Sequence, residues 1–208
     1  MDYNKLEQTF VLIMSKDTKA KLETSAKQIF ARSGYEGLSM RTLSKDSSVN
    51  LSTIYHYFDD KDQLLRALFR QTGSELGKKR EKLPRKSSAV DTLRDRIRFQ
   101  FENIEDIVFV LKYYLHFREE FEQNNRGYIP ERAYLHIKEV VEKGVDTGEF
   151  RILRKHIDKE SKVIAHAING FLLEYYPSPP TGKELSEIVD GLHSFIVRGL
   201  SAGRSVMI

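Results

Sequence analysis

Short polar and aromatic side chains are concentrated between positions 51 and 57, a combination that suits the recognition of nucleic acid. Ile54 and Phe58 lie four residues apart, so in a helix they share one face and point inward. Hydroxyl groups and rings of moderate size can contact base edges and phosphates. Six residues would present such groups around the exposed side of the helix: Leu51, Ser52, Thr53, Tyr55, His56 and Tyr57.

The residues before this segment predict a second helix and a tight turn. Ser39 can cap the first helix, whose inward side would carry Leu43 with two small serines. Positions 48–50 supply the turn, and Asn50 can cap the helix that follows. Two short helices joined in this way form the unit that places one helix in a DNA groove.

The end of this unit carries a more specific motif. Thr53-Ile-Tyr-His-Tyr-Phe58, followed by Lys61 and Leu64, resembles the T-[LIV]-Y-x-[HY]-F-x-x-K-x-x-L signature of the TetR family of bacterial transcriptional regulators. The family usually has Ala-Gly-Val in the turn, where this chain has Ser47-Ser48-Val49, and serine lacks glycine's freedom at positive φ. Upstream residues are similar to the family's first helix, which extends the resemblance to positions 19–68: Ala26, Ile29, Phe30 and Gly34.

The resemblance implies roles for individual residues at a DNA interface. Arg41 matches a position that can reach a guanine edge, where a guanidinium can donate two hydrogen bonds. The groove-facing start of the recognition helix corresponds to Leu51, Ser52 and Thr53, and the phosphate contacts correspond to Tyr55, Tyr57 and Lys61. Two alternatives stay open, because Tyr55 could pack beneath the helix and Leu51 could contact nothing.

Two helices near the C-terminus predict a subunit interface. Positions 163–173 are apolar nearly all round, and the helix predicted for positions 182–200 has a broad apolar face. Gly170 and Gly191 would allow close approach of helices. In the TetR family the last two long helices of each subunit form a four-helix dimer interface, and this pair resembles it. The alternative is the ordinary core of a monomer.

Aromatic residues crowd positions 99–134, which predicts a region where a small molecule could bind between helices. The family resemblance implies a regulatory ligand in the C-terminal domain. The aromatic residues favour a ligand that is mainly apolar. An aromatic stripe can equally be plain core. Polar groups on the apolar helix could instead find partners across a dimer or in the backbone. The candidate ligand-binding residues are Phe99, Phe109, Tyr113, Phe117, Tyr134, His166 and Asn169.

Composition excludes several other classes of protein. The chain has no cysteine, and its six histidines include no pair spaced four apart, so we expect neither a metal nor another cofactor. No phosphate loop, nucleophile elbow or paired-carboxylate arrangement suggests an enzyme. No apolar run is long enough to span a membrane, and no secretory signal is visible, which favours a cytoplasmic protein.

Positive charge is concentrated between positions 61 and 86, which hold nine lysines and arginines against three acidic residues. This run is either a solvated linker or a basic flank that attracts the DNA backbone. Pro84 should end the helix that begins near Asp60 and runs through this basic segment.

The sequence as a whole predicts an all-α protein. We expect an N-terminal extension at 1–14, a three-helix DNA-binding domain with a helix-turn-helix at 15–66, and a connecting helix that leads into a ligand-binding and dimerisation domain at 67–208. The extension could be an added helix or an upstream extension of the reading frame before Met14. The predicted function is a homodimeric regulator of the repressor type, which a small molecule releases from a palindromic operator. The alternatives are a constitutive DNA-binding dimer and a helical enzyme or carrier.

Overall fold

A computed structural model of the chain describes residues 3–84, 86–123 and 129–202, with side chains for 17–84, 86–121 and 134–202. Within these ranges the structure is all-α, as predicted. Its α-helices are α1 (Tyr3–Gly37), α2 (Met40–Ser47), α3 (Leu51–Tyr57), α4 (Lys61–Glu81), α5 (Ala89–Glu102), α6 (Ile104–Gln123), α7 (Ile129–Asp146), α8 (Ile157–Tyr175) and α9 (Gly182–Ser201), with a short 3-10 helix at Arg154–His156. Among the described helices, none combines the length and the apolar composition needed to cross a bilayer.

The chain divides into two compact units, one ending at Ser74 and the other beginning at Glu75. Helix α4 belongs to both, because the division falls within it. The predicted N-terminal extension at 1–14 falls within α1 from Tyr3 onward, and its side chains lie outside the described residues.

The first unit packs α1, α2, α3 and the start of α4 around a small apolar core. Helix α1 is interrupted at Gly34, where φ is 69° and ψ is −169°. This backbone conformation strongly favours glycine, so Gly34 lets the chain leave α1 and enter α2. The fully buried side chains of the unit include Leu22, Phe30, Leu38, Leu43, Ile54, Leu64 and Leu65.

The second unit has a core built mainly from α5, α7, α8 and α9. Apolar residues three or four apart on each helix point into it, as the periodicity of an amphipathic helix requires. The turn after α7 contributes Phe150, which packs so closely against Gly144 that any larger side chain at 144 would overlap its ring. Core residues include Leu93, Ile97, Ile137, Val141, Ile164, Ile168, Leu192 and Ile196.

Two helix starts differ from what the local sequence predicts: Thr181 and Glu184 have the spacing of a capping box, and Asp158 is a residue type that favours the N-cap position. Thr181 is the N-cap of α9, as its position predicts, but its side chain makes no capping hydrogen bond, so the expected capping box with Glu184 is absent. The next residue, Gly182, takes φ 53°, which gives this helix start an unusual backbone path. Asp158 was expected to cap α8 but lies in its first turn, where the side chain forms ion pairs with Lys138 and Lys162.

Candidate functional site

Helices α2 and α3 form the predicted helix-turn-helix, and each begins with a side-chain cap. The Ser39 hydroxyl accepts a hydrogen bond from the Thr42 backbone at 3.1 Å, while the Ser39 backbone donates to the Thr42 hydroxyl at 2.8 Å. The Asn50 side chain accepts from the Ser52 backbone at 2.9 Å. These bonds satisfy backbone donors that have no partner within a helix, so they define where both helices start.

The turn between the helices shows how serine replaces the usual glycine. Ser48 ends α2 in the left-handed conformation, with φ 55° and ψ 28°. Two neighbouring serines brace the backbone around it. Ser44 donates to the Val49 carbonyl at 2.7 Å, and Ser47 donates to the Leu43 carbonyl at 2.7 Å. The turn therefore keeps the positive φ that glycine would adopt more easily, held by local hydrogen bonds.

Helix α3 buries one face and exposes the other, as its sequence predicts. Ile54 is fully buried, and Phe58 is buried directly after the helix, where its backbone still donates to the Ile54 carbonyl. Ser52, Tyr55 and His56 are exposed. The Tyr55 side chain is 51% exposed, so it does not pack beneath the helix.

The structure gathers the predicted DNA-contacting residues in the first unit. Arg41 is exposed at the start of α2, on the second residue of that helix. Three more residues, Leu51, Thr53 and Tyr57, are half-buried on α3, and Lys61 is half-buried as the first residue of α4. Exposed guanidinium and hydroxyl groups beside a capped short helix can donate to base edges and phosphates.

The aromatic residues of α6 form a continuous row in the second unit. Ring centres of Phe109 and Tyr113 are 6.3 Å apart, and those of Tyr113 and Phe117 are 4.6 Å apart. Phe109 and Tyr113 are buried, while Phe117 is half-buried at a point where its backbone departs from helical geometry, with φ −99° and ψ 19°. On α5, Phe99 is also buried. Two of the three rings are buried, so most of the row lies within the second unit, and Phe117 marks its half-buried end.

The other three candidate ligand-binding residues lie in different surroundings. Tyr134 on α7 donates its hydroxyl to Asp158 on α8 at 3.1 Å, so it links two helices. His166 is exposed on α8, although its position in an apolar segment predicts a buried side chain, and Asn169 is half-buried. When a helix is apolar nearly all round, its sequence does not show which side will be buried against the rest of the chain.

A group of charged residues in the second unit was not predicted as a site. The side chains of Arg80, Arg96 and His136 come from α4, α5 and α7, and they interact electrostatically with one another and with Glu139. Burial lowers the pKa of both arginines and of His136. Their positions in the sequence carry no shared motif, because only the packing of three helices brings them together.

Helices α8 and α9 each leave an apolar stripe uncovered. On α8, Val163 is 55% exposed and Phe171 is 43% exposed, and on α9 Phe195 is 68% exposed. The stripes also contain small residues with open space around them. A Cβ added at Gly170 or Gly191 would meet no atom within 4 Å. We call these residues, together with Gly199, the α8–α9 apolar face.

Comparison with known proteins identifies the helix-turn-helix region. A family model described as bacterial regulatory proteins of the tetR family matches residues 24–68. The matched segment is less than half of the chain, so it shows a likeness to the family in this region. The regulator UidR of Escherichia coli K12, an HTH-type transcriptional regulator, is 30% identical to this chain over 54 residues. That match covers 26% of this chain and 28% of UidR, so the likeness in sequence is to a DNA-binding region of the TetR type.

Solved structures extend the likeness in fold to most of the chain. The TetR family regulator PfmR from Thermus thermophilus is 20% identical, with a TM-score of 0.65 over 87% of this chain and 98% of its own. The ketosteroid transcriptional regulator KstR2 of Mycobacterium tuberculosis is 15% identical, with a TM-score of 0.67 over 88% and 94%. At these identities the comparison establishes the fold, which is that of TetR-family proteins.

Proposed function

We propose that this protein is a ligand-responsive transcriptional regulator that binds a palindromic operator as a homodimer, and that it acts as a repressor. The observation that carries the proposal is the capped α2–α3 unit with an exposed polar face, in a segment that matches the TetR family. A recognition helix of this kind enters the major groove and reads bases, while flanking groups contact phosphates.

In this proposal the residues of the first unit divide the work of recognition. Arg41 donates to a guanine edge, and the start of α3 at Leu51, Ser52 and Thr53 faces the groove. The Ser52 hydroxyl already donates to Asn50 at 2.9 Å, so it is oriented and can still accept a hydrogen bond. Tyr55, Tyr57 and Lys61 contact phosphates, which adds affinity without sequence preference.

The α8–α9 apolar face supports the homodimer. Exposed large apolar side chains on two helices of one unit are unfavourable in water unless another surface covers them. The open space beside Gly170 and Gly191 would let two helices approach closely. A twofold dimer would pair each face with its copy and present two recognition helices to two half-sites.

The ligand response would reach the DNA-binding residues through α4, which is shared by both units. A small molecule in the second unit can shift operator affinity only if it binds one of two conformations more tightly. The aromatic row on α6 supports such a binding region. A constitutive DNA-binding dimer would lack this coupling.

Operator selection from a random DNA library tests the proposal. We expect a palindromic sequence to be enriched, with half-site centres roughly 34–36 Å apart or a multiple of that spacing. Binding to this sequence should exceed binding to scrambled DNA by about 10³-fold or more at physiological salt. Enrichment of no sequence, with weak binding that depends on salt alone, would contradict the proposal.

A further inference from the structure

Arg80 and Arg96 of the second unit lie close enough for their positive charges to repel each other. The guanidinium carbon of Arg80 lies 5.5 Å from the centre of the Phe99 ring, over a side chain that is itself buried. The positive charge of Arg96 lowers the pKa of Arg80 further, after burial. Two like charges in partly buried positions repel each other more strongly than they would in water.

Arg96 has hydrogen-bonding capacity that the described part of the chain does not use. Its Nε and Nη1 atoms are buried and have no hydrogen-bond partner among the described residues. Buried donors without partners are unfavourable, and those of a charged group especially so. The Nε–H and Nη1–H groups point to different sides of the guanidinium, so an anion can accept a charge-assisted hydrogen bond from either of them.

The neighbouring carboxylates do not complete this group. Glu139 is mostly exposed, and one of its oxygens lies 3.7 Å from Nδ1 of His136. Asp95 lies 4.0 Å from the ammonium of Lys86, and neither acid bonds to the two buried donors of Arg96. Among the described residues, no carboxylate therefore accepts a hydrogen bond from Nε or Nη1 of Arg96.

The same arginines lie beside an aromatic side chain. Phe99 follows Arg96 by three residues on α5, so both side chains lie on one side of that helix. His136 approaches from α7, where burial lowers its pKa and favours the neutral ring, which keeps one N–H donor. A ligand that satisfied the arginines could therefore place an apolar body against aromatic side chains.

We propose that Arg80, Arg96 and His136 form an anion site that binds the carboxylate or phosphate of an amphipathic effector. This deepens the proposed function and rests on it, because it names the chemical class of the molecule that would regulate DNA binding. It also revises the sequence-based expectation of a mainly apolar ligand: the apolar part would lie on aromatic side chains, and the charged end would neutralise the two guanidinium groups.

Three probes with the same ten-carbon chain test the anion site on the full-length protein: decanoate, decyl phosphate and 1-decanol, each below its aggregation concentration. Calorimetric titration should show at least one anion binding about tenfold or more tightly than 1-decanol, because a charge-assisted hydrogen bond to a buried arginine is stronger than a neutral one. The two anions distinguish a carboxylate site from a phosphate site. Equal binding of all three probes, or no binding of either anion at millimolar concentration, would overturn the proposal.

Two arginine variants on the same helix localise the effect. Arg96→Gln should reduce anion affinity about tenfold or more and leave 1-decanol unchanged. Arg94→Gln is the matched control, because Arg94 is exposed on α5 and pairs with Asp190 at 3.4 Å. Arg80→Gln gives a second test if Arg96→Gln fails to fold. Equal anion affinity in the Arg96 and Arg94 variants, with both folded, would rule the site out.

Operator binding separates the anion site from the proposed function. Tight anion binding that depends on Arg96 but leaves the operator bound would support the anion site and contradict the ligand response. Release of the operator by decanoate or decyl phosphate at the same concentration in the wild type and in Arg96→Gln would support the ligand response and overturn the anion site.

Discussion

The ammonium nitrogen of Lys61 lies 3.6 Å from the centre of the Tyr35 ring and donates to the Tyr35 carbonyl oxygen at 3.2 Å. The Tyr35 hydroxyl in turn donates to Asp62 at 2.5 Å. These contacts join the end of α1 to the start of α4 inside the first unit. Lys61, a proposed phosphate contact, is therefore held by the protein itself, with donors still available for DNA.

Tyr35→Phe should destabilise the first unit by about 1 kcal/mol, because it removes the hydrogen bond to Asp62 and keeps the ring under Lys61. That hydrogen bond is the main cause that raises the Tyr35 pKa from 10.0 to about 12. A group whose pKa is raised by folding contributes stability below its unfolded value and loses it as the pH rises. The advantage of the wild type over Tyr35→Phe should therefore shrink between pH 10 and about 12 in chemical denaturation. A constant difference across that range would contradict this.

Arg41→Ala and Lys61→Ala should weaken DNA binding in different ways. Loss of Arg41 should cost about 1–3 kcal/mol on the selected operator and relax the preference at one position in each half-site. Loss of Lys61 should weaken all sequences alike and lower the slope of log affinity against log salt by roughly one per site. Titrations of matched and mismatched operators at several salt concentrations separate the two effects. Identical behaviour of the variants would refute the assigned roles.

The helix-turn-helix was predictable because its determinants are local. The caps at Ser39 and Asn50 and the spacing of Ile54 and Phe58 lie within a few residues of the helices they define. For the same reason, the ends of α9 could be placed closely from the sequence. The failed capping box at Thr181 shows the limit, since the backbone conformation of the following glycine is invisible in the sequence.

Residues brought together by packing could not be predicted in the same way. Arg80 and Arg96 are sixteen positions apart in sequence and come from separate helices, so no spacing rule connects them. The exposure of His166 likewise depends on which side of α8 the rest of the unit covers. The proximity of the two arginines and the exposure of His166 therefore depend on how the helices pack, which the sequence does not show.

Gly170→Arg should disrupt the proposed homodimer without unfolding the subunit. A Cβ built at this position meets no described atom of the rest of the chain within 4 Å, so the variant adds bulk and charge on the side where a partner would pack. Sedimentation should show a dimer for the wild type at micromolar concentration and a monomer for the variant, with operator binding lost. Leu153→Arg is the matched control, because Leu153 is 63% exposed outside the α8–α9 apolar face. A monomeric wild type would contradict the interface.

Glu149 should stabilise the second unit at neutral pH by capping α5. Its carboxylate accepts from the Ala89 backbone at 2.9 Å and from the Ser88 hydroxyl at 2.6 Å, which lowers its pKa from 4.5 to about 2. Because the group is only half-buried and partly screened, Glu149→Gln should cost about 1 kcal/mol. The difference from the wild type should be full above pH 4.5 and disappear as the pH falls towards about 2.

Urea denaturation of both proteins across this pH range checks the prediction. Glu187→Gln serves as the control, since Glu187 is exposed and pairs with Lys183 on its own helix at 3.3 Å. We expect that variant to change stability by a few tenths of a kcal/mol at most. A Glu149→Gln difference that stays constant down to pH 2 would show that the capping charge contributes nothing.

Coupling between effector and operator should depend on the continuity of α4. An effector that stabilises the free dimer should weaken operator binding roughly five- to 150-fold, and operator DNA should weaken the effector by the same factor. Gly77 lies in the part of α4 that belongs to the second unit, and a Cβ added there meets no atom within 4 Å. Gly77→Ala therefore preserves the helix, whereas Gly77→Pro removes a backbone donor and breaks or kinks it.

We expect Gly77→Ala to retain the full coupling factor and Gly77→Pro to reduce it towards one. Two measurements each give the coupling factor for every protein. One compares operator affinity with and without saturating effector, and the other compares effector affinity with and without saturating operator. Gly77→Pro should also bind the effector more weakly than Gly77→Ala, because Arg80 of the proposed anion site follows the proline by three residues on α4. The coupling factor, a ratio of affinities within one protein, separates this loss from the loss of coupling. A Gly77→Pro protein that binds both ligands with undiminished coupling would show that α4 does not transmit the response.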